Sequence, residues 1–427
     1  MPCPDRLSQW SKEVSTAFAH LSKPQIWGLV LWSAGIALTG TAGITQISAL
    51  LAVVLNQQEQ SVFQRLREWY LDAEQKSGKK RRELDVASCF APLLRWVVRL
   101  WEPGNQEMVL VLDATSLGER WTILSISVVI RRCAIPVAWK VLGGHEKGSW
   151  RPHWEGLLTH LSGSIPSGWR VIVLADRGLY ASWLFEKIID CHWHPFLRIN
   201  LAVKAREVGE ESFDWISRWV PIPGTNWKGE VECFVGKASR LRCSLLMAWA
   251  TGYKDPWVIL TDLSTEEAQI SWYGMRTWIE SGFKDFKRGL WGWHHSKMQK
   301  ASGVERLWLA MAVAQLWTVS VGCQAEAEHQ HKQAETSLPA MHIASRRRKR
   351  PAGQPPERRL SCVVQGRLRL VAALFNAEVL PCGTLVAQAW PLTIMSPRKL
   401  PSASSLRQRE RKREQKRRAR ARARTHQ

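Results

Sequence analysis

Three carboxylates in this chain stand where they could share one piece of chemistry. Residues 108–113 (MVLVLD) form a short apolar run that ends in Asp113. Residues 170–175 (RVIVLA) form a second run, followed at once by Asp176, Arg177 and Gly178. Both runs read as buried strands closing on an acid. The third acid, Glu280, lies in a stretch with helical periodicity. At 100° per residue, Tyr273, Arg276, Glu280, Lys284 and Lys287 share a stripe about 80° wide. Trp272, Met275, Ile279, Phe283, Phe286 and Leu290 form an apolar stripe beside it. Such a helix packs on a core and holds its polar stripe at the edge of that core.

Two strand-end acids and one helix acid can converge. Converging carboxylates repel one another unless cations bind between them. Mg²⁺ suits such an oxygen cage, because it keeps some of its waters and takes phosphate oxygens as further ligands. Two ions so held would activate an attacking water or 3′-hydroxyl and stabilise the leaving oxygen of an in-line displacement. Plainer readings stand beside this one. Asp after a strand is often only a turn-former. The polar stripe could be a solvated face with Arg276–Glu280 and Glu280–Lys284 pairs at i,i+4 spacing.

The spacing Tyr273-x2-Arg276-x3-Glu280-x6-Lys287 resembles, residue for residue, the YREK motif of the IS-four family of bacterial transposases. Residues 174–178 (LADRG) are similar to that family's second-Asp motif, and a β-rich insertion between second Asp and Glu fits it as well. The resemblance covers roughly residues 109–290. It implies a DDE transposase with Asp113, Asp176 and Glu280 as the metal-binding catalytic triad, using two Mg²⁺ ions for which Mn²⁺ can substitute. It also implies that Tyr273, Arg276 and Lys287 hold phosphates near the transposon end. By position, Lys284 on the same stripe, and Arg177 and Arg198 beside the second Asp and the next strand, are further candidate DNA contacts. In some relatives a flipped base stacks on a Trp, a role open here to Trp227 or Trp249. The expected partners are double-stranded DNA, as terminal inverted repeats and target, and a second copy of the chain in a paired complex.

The elements that must position these residues follow from patterning. The expected fold class is α/β: a ribonuclease-H-like mixed sheet flanked by helices, with a β-rich insertion, a helical N-terminal domain and a basic C-terminal tail. Residues 1–105 read as mostly helical and DNA-binding by position and charge. Residues 106–322 read as the catalytic domain, in the order three strands, helix, strand, helix, strand. The first three strands can form an antiparallel meander, and the later ones join by crossovers. Residues 201–257 read as the insertion. A further strand at 257–263 precedes a long helix starting near Thr265. Residues 323–427 read as basic linker and tail, partly disordered.

Composition bounds the function classes. The chain has 427 residues and a formal net charge of +23. A polyanionic partner is the natural inference. The charge is uneven: residues 398–427 carry +11, the run at 346–350 adds +5, and only +7 remains for everything else. The charge therefore describes mainly the C-terminal part. The nine Cys show no CxxC spacing, so neither a disulfide framework nor a zinc site is indicated. Cys191-His192-Trp193-His194 lacks the second ligand pair a zinc site needs. The 25 Trp are scattered, as bulky core residues would be. Residues 24–58 carry no charge and are long enough to span a bilayer. Gly40-Thr-Ala-Gly43 instead reads as a turn between two shorter helices, with Thr45 as cap of the second. No secretory signal is visible, and a cytoplasmic, nucleoid-associated protein without a membrane span is expected.

The expected activity is cut-and-paste transposition: hydrolysis of one strand at each element end, then attack of the freed 3′-hydroxyl on target DNA. The rivals are a nuclease or resolvase of the same fold without strand transfer, a non-enzymatic Arg-rich nucleic-acid-packaging protein, and an inactive, degenerate transposase.

Overall fold

The computed structural model describes residues 5–77, 81–146, 148–333 and 360–394. The basic run at 346–350 and the tail from 398 lie outside these residues, as do Lys79 and Lys80. The N-terminal part is helical: α1 (Ser8–Ala17), α2 (Lys23–Thr39), α3 (Ile44–Leu55), α4 (Glu59–Tyr70) and α5 (Phe90–Arg99). The uncharged stretch is a hairpin, with α2 and α3 meeting at a 101° bend. Gly40 closes α2 at φ 73°, in the left-handed region that glycine adopts without strain. Thr45 does not cap α3. Gly43 is the cap residue, and the helix starts at Ile44, two residues before the Gln46 start that a Thr45 cap implies.

The centre is one mixed sheet of ten strands in the order β3-β2-β1-β4-β5-β10-β9-β8-β6-β7. β1 (Glu107–Leu117), β2 (Trp121–Ile130) and β3 (Cys133–Gly143) form the expected antiparallel meander. After α6 (Arg151–Leu161), β4 (Arg170–Ala175) pairs parallel to β1. After α7 (Ser182–Asp190), β5 (His194–Arg198) pairs parallel to β4. β2 and β3 are buried along nearly their whole length, so both faces of this half of the sheet are covered. The fold is thus α/β, a large mixed sheet flanked by helices.

The stretch at 201–257 is not a separate layer. It adds β6 (Lys204–Glu207), β7 (Asp214–Trp215), β8 (Asn226–Cys233) and β9 (Leu241–Ala248), and β10 (Trp257–Thr261) joins β9 to β5 within the same sheet. Pairing across β10 makes this possible, and no local pattern announces it.

The helix expected from Thr265 is a composite and begins later. A 3₁₀ segment spans Ile270–Thr277, α8 spans Trp278–Lys284, and a π turn spans Asp285–Gly289. α9 (Ala301–Gln333) then runs through the core against α2 and β3, and crosses the expected boundary at residue 322. It is the one helix among the described residues long and apolar enough by itself to cross a bilayer, yet 94% of that stretch is buried inside the protein. Residues 360–394 are not free linker. α10 (Cys362–Phe375) packs on α9, and Leu385 bridges to Trp101.

Candidate active site

β1 and β4 run parallel with Leu112 beside Ala175, so Asp113 and Asp176 emerge as neighbours. Asp176 is the first residue past β4, as expected. Asp113 does not end its strand: β1 continues to Leu117 on β2, and Asp113 stands where its parallel neighbour stops. The loss of a partner strand there opens the edge on which the acids gather.

The helical segment supplies the rest. Tyr273 and Arg276 lie three residues apart in 3₁₀ geometry, where i and i+3 eclipse. Arg276 and Glu280 lie at i,i+4 across the join into α8. Arg276 is the hub. Its Nη2 donates to Asp113 Oδ2 at 2.9 Å and sits 3.4 Å from Asp176 Oδ2, while its Nη1 donates to Glu280 Oε1 at 2.9 Å. Three acids from two strands and a helix thus share one guanidinium, whose side chain is only 13% exposed. The Tyr273 hydroxyl donates to Asp176 Oδ1 at 3.4 Å. Trp257 meets the Tyr273 ring edge-on at 5.4 Å, and the Arg198 guanidinium lies over that ring at 5.9 Å.

The electrostatics are those of too many acids for the cations present. Burial pushes the Asp113 carboxyl above its usual range. Arg276 and the Ala114 N–H oppose the rise, and Asp176 and Glu280 add to it. Burial works against the charge on Arg276, but Asp113, Asp176, Tyr273 and Glu280 outweigh it and leave its pKa raised. Burial and Asp176 raise the Tyr273 hydroxyl, which keeps its proton. Burial, then Arg288, lower the Lys287 ammonium.

Other expected residues fall at the periphery. Lys284 is exposed on α8, and Lys287 is half-buried in the π turn. Arg177 reaches Asp255 at 3.7 Å, and Arg198 donates to the Pro256 carbonyl at 3.2 Å. Trp227 and Trp249 lie at the sheet end where Asp176 sits, but on β8 and just past β9. Four and three inter-strand spacings separate them from β4, roughly 19 and 14 Å at ordinary strand spacing. Trp227 stacks on Trp219 at 4.3 Å, and the Trp249 indole N–H is taken by the Tyr253 carbonyl at 3.0 Å. The Cys191–His194 segment gathers no ligand set. The buried Cys191 thiol points to the Leu158 carbonyl, and His194 pairs with Asp262 at 2.9 Å.

Two site neighbours escaped the sequence. Trp257 carries no signal of its own. Asp285 falls outside both the polar and the apolar stripe of the helical wheel, so periodicity offers no hint of its place.

Three carboxylates offer hard oxygen donors of the kind Mg²⁺ takes. Among the described residues no group of three His, Cys, Asp or Glu side chains stands close enough to hold a metal as placed. The reason is visible: the Arg276 guanidinium occupies the space between the acids. Glu280, 62% exposed in its side chain, has room to swing. Compared with known protein families and with curated proteins, the chain matches no family model and no curated protein.

Proposed function

We propose that the chain is a DNA strand-transfer enzyme of the DDE transposase class, built on a ribonuclease-H-like sheet. The observation that carries this reading is the gathering of Asp113, Asp176 and Glu280 on Arg276. A structural ion pair needs one acid per cation. Three acids around one partly buried cation leave two negative charges uncompensated, and burial makes that costly. Such a cluster makes physical sense where positive charge arrives with the reaction. The meander β3-β2-β1 followed by parallel β4 and β5 supports the fold reading.

In this reading Asp113, Asp176 and Glu280 would hold Mg²⁺, which supplies charge neutralisation and an activated oxygen nucleophile when bound. The chain's own residues do the positioning. Tyr273 fixes the Asp176 carboxylate through its hydroxyl. Arg276, released from the acids it now holds, offers a planar pair of donors that suits a phosphate. Lys284 and Lys287 extend the positive side along the DNA backbone, and Arg177 and Arg198 flank it. The basic tail adds salt-sensitive, non-specific affinity. The partners are the element's terminal repeats and target DNA, with two copies of the chain acting together in the cytoplasm, at the nucleoid.

The test is product analysis. A linear duplex carrying the repeats that flank the coding sequence is incubated with the full chain, a target plasmid and Mg²⁺. Nicking at the repeat boundary and joining to the plasmid are expected. Cleavage without joining would identify a nuclease, and binding without cleavage a packaging protein or a degenerate copy.

A further inference from the structure

The middle of α9 is largely apolar, and among its few buried polar residues (Gln315, Thr318, Ser320) Gln315 is the one amide, fully buried. A buried amide is tolerated only when both of its ends are hydrogen-bonded. Gln315 meets that condition through Trp291, just past the π turn, and Ala134 of β3. Its Oε1 accepts from Trp291 Nε1 at 2.9 Å. Its Nε2 donates to the Ala134 carbonyl of β3 at 3.2 Å, and the side chain lies close enough to the Asp285 carboxylate to lower its pKa.

Asp285 opens the π turn that follows α8. Its carbonyl accepts both the Leu290 and the Trp291 N–H at 2.9 Å, the first being the wide bond that defines such a turn. Burial lifts its carboxyl to about 6, partly offset by Gln315 and Lys284. The same spot is where α8 comes closest to the sheet. A Cβ on Gly282 would lie 2.7 Å from the Ala134 Cβ, so only glycine permits this approach. Gly289 is similarly hemmed, with a Cβ placed 3.2 Å from Asp285 Oδ1. β3, α8, the π turn and α9 therefore meet around Ala134, and the Gln315 amide links α9 to β3 and to Trp291 just past the turn. Glu280 lies five residues before that point, and Lys287 lies within the turn. Single π turns inside helices are uncommon and concentrate at functional sites.

We propose that Gln315 and Asp285 are positioning residues: by pinning the π turn and α8 to β3, they set where Glu280 and Lys287 stand relative to Asp113 and Asp176. The proposal rests on the strand-transfer reading above. It assigns a role in that reaction to two residues that touch neither DNA nor the triad.

The test uses the full chain with Gln315→Met, Asp285→Val and Asp285→Asn. Met matches the length of Gln but makes none of its hydrogen bonds. Asn keeps an acceptor for the Gln315 amide. Two readouts are taken: hydrogen–deuterium exchange across residues 285–291, and single-turnover cleavage of the repeat-bearing duplex in Mg²⁺ beside its Kd. Gln315→Met and Asp285→Val should exchange faster and cleave about 10- to 100-fold slower, since misplacement near 1 Å costs about that much. Their Kd should stay within about threefold of wild type, a shift of under about 1 kcal/mol. Asp285→Asn should match wild type in both readouts. Unchanged exchange in Gln315→Met would overturn the pin. Faster exchange with an unchanged cleavage rate would overturn the positioning role. So would a parallel fall of rate and affinity in all three variants, which marks general damage. If the wild type cuts no DNA, the strand-transfer reading fails, and the exchange data still decide whether the pin exists.

Discussion

Two arginines, Arg306 and the partly buried Arg276, each anchor an ion network, and they do so differently. Arg306, on α9, is 5% exposed in its side chain and bonds Asp72 at 2.8 Å, Glu83 at 3.2 Å and the carbonyls of Leu84 and Tyr70. Lys300 and Ser302 complete the hold on Asp72. Around Arg306 every charge is answered. The Lys300 bond, above all, drives the Asp72 carboxyl far below its usual range. Around Arg276 the balance is reversed. Three acids share one cation, Arg276 Nε has no hydrogen-bond partner, and Asp113 is shifted upward rather than downward. The first network ties the N-terminal helices to α9 and is finished as it stands. The second is short of positive charge. Satisfied networks stabilise folds, and unsatisfied ones mark sites where something else binds.

The largest effect that could break this contrast is catalytic. Asp176→Asn and Glu280→Gln should each slow DNA cleavage at least about 10³-fold, about 4 kcal/mol of barrier. Their unfolding midpoints in urea should be no lower than that of wild type. A stability loss like that of a structural ion pair would make the two networks alike.

Next is Arg306→Met. Removing one partner from a buried network should cost about 3–5 kcal/mol of unfolding free energy. Denaturant titration measures it, and a loss under about 1 kcal/mol would show that the network is not structural.

A third prediction uses opposite signs of pH dependence. Asp72 is depressed, so its contribution is present above the ordinary value of 3.8 and is lost as pH falls below it. Asp113 is raised, so its contribution is present below 3.8 and is lost as pH rises through its folded-state value. In chelator-containing buffer, Asp72→Asn should therefore hurt at neutral pH and be harmless in acid. Asp113→Asn should do the reverse, gaining on wild type as pH rises. Unfolding curves at several pH values decide this, and a shared sign would erase the distinction.

The same contrast explains what the sequence could reveal. Asp113 and Asp176 were legible because apolar strand runs end at or near them. Tyr273, Arg276 and Glu280 were legible because their spacing keeps them on one face in 3₁₀ and α geometry alike. The breaks between 3₁₀, α and π segments were not legible, since the contacts beside them, Gly282 against Ala134 and Gln315 on Trp291 and Ala134, come from distant parts of the chain. The continuation of β1 past Asp113 depends on β2. The sheet extension depends on β10 pairing β9 to β5. The fixed place of residues 360–394 depends on α9. Tertiary partners decide each of these, and no local pattern encodes them.

The smallest predicted effect concerns the rim. Lys284→Ala should weaken binding to any duplex, with little sequence preference, and reduce the slope of log affinity against log salt by about one. Salt-dependent binding titrations measure it. An unchanged slope would remove Lys284 from the DNA path.

The central claim is that the acids around Arg276 perform strand transfer. The most direct measurement follows repeat-ended DNA through joining to a target plasmid in Mg²⁺, with wild type and Glu280→Gln compared at equal DNA occupancy. Joined product from wild type, and bound but uncut DNA with Glu280→Gln, is the predicted result. Equal cleavage and joining by the two proteins would contradict it.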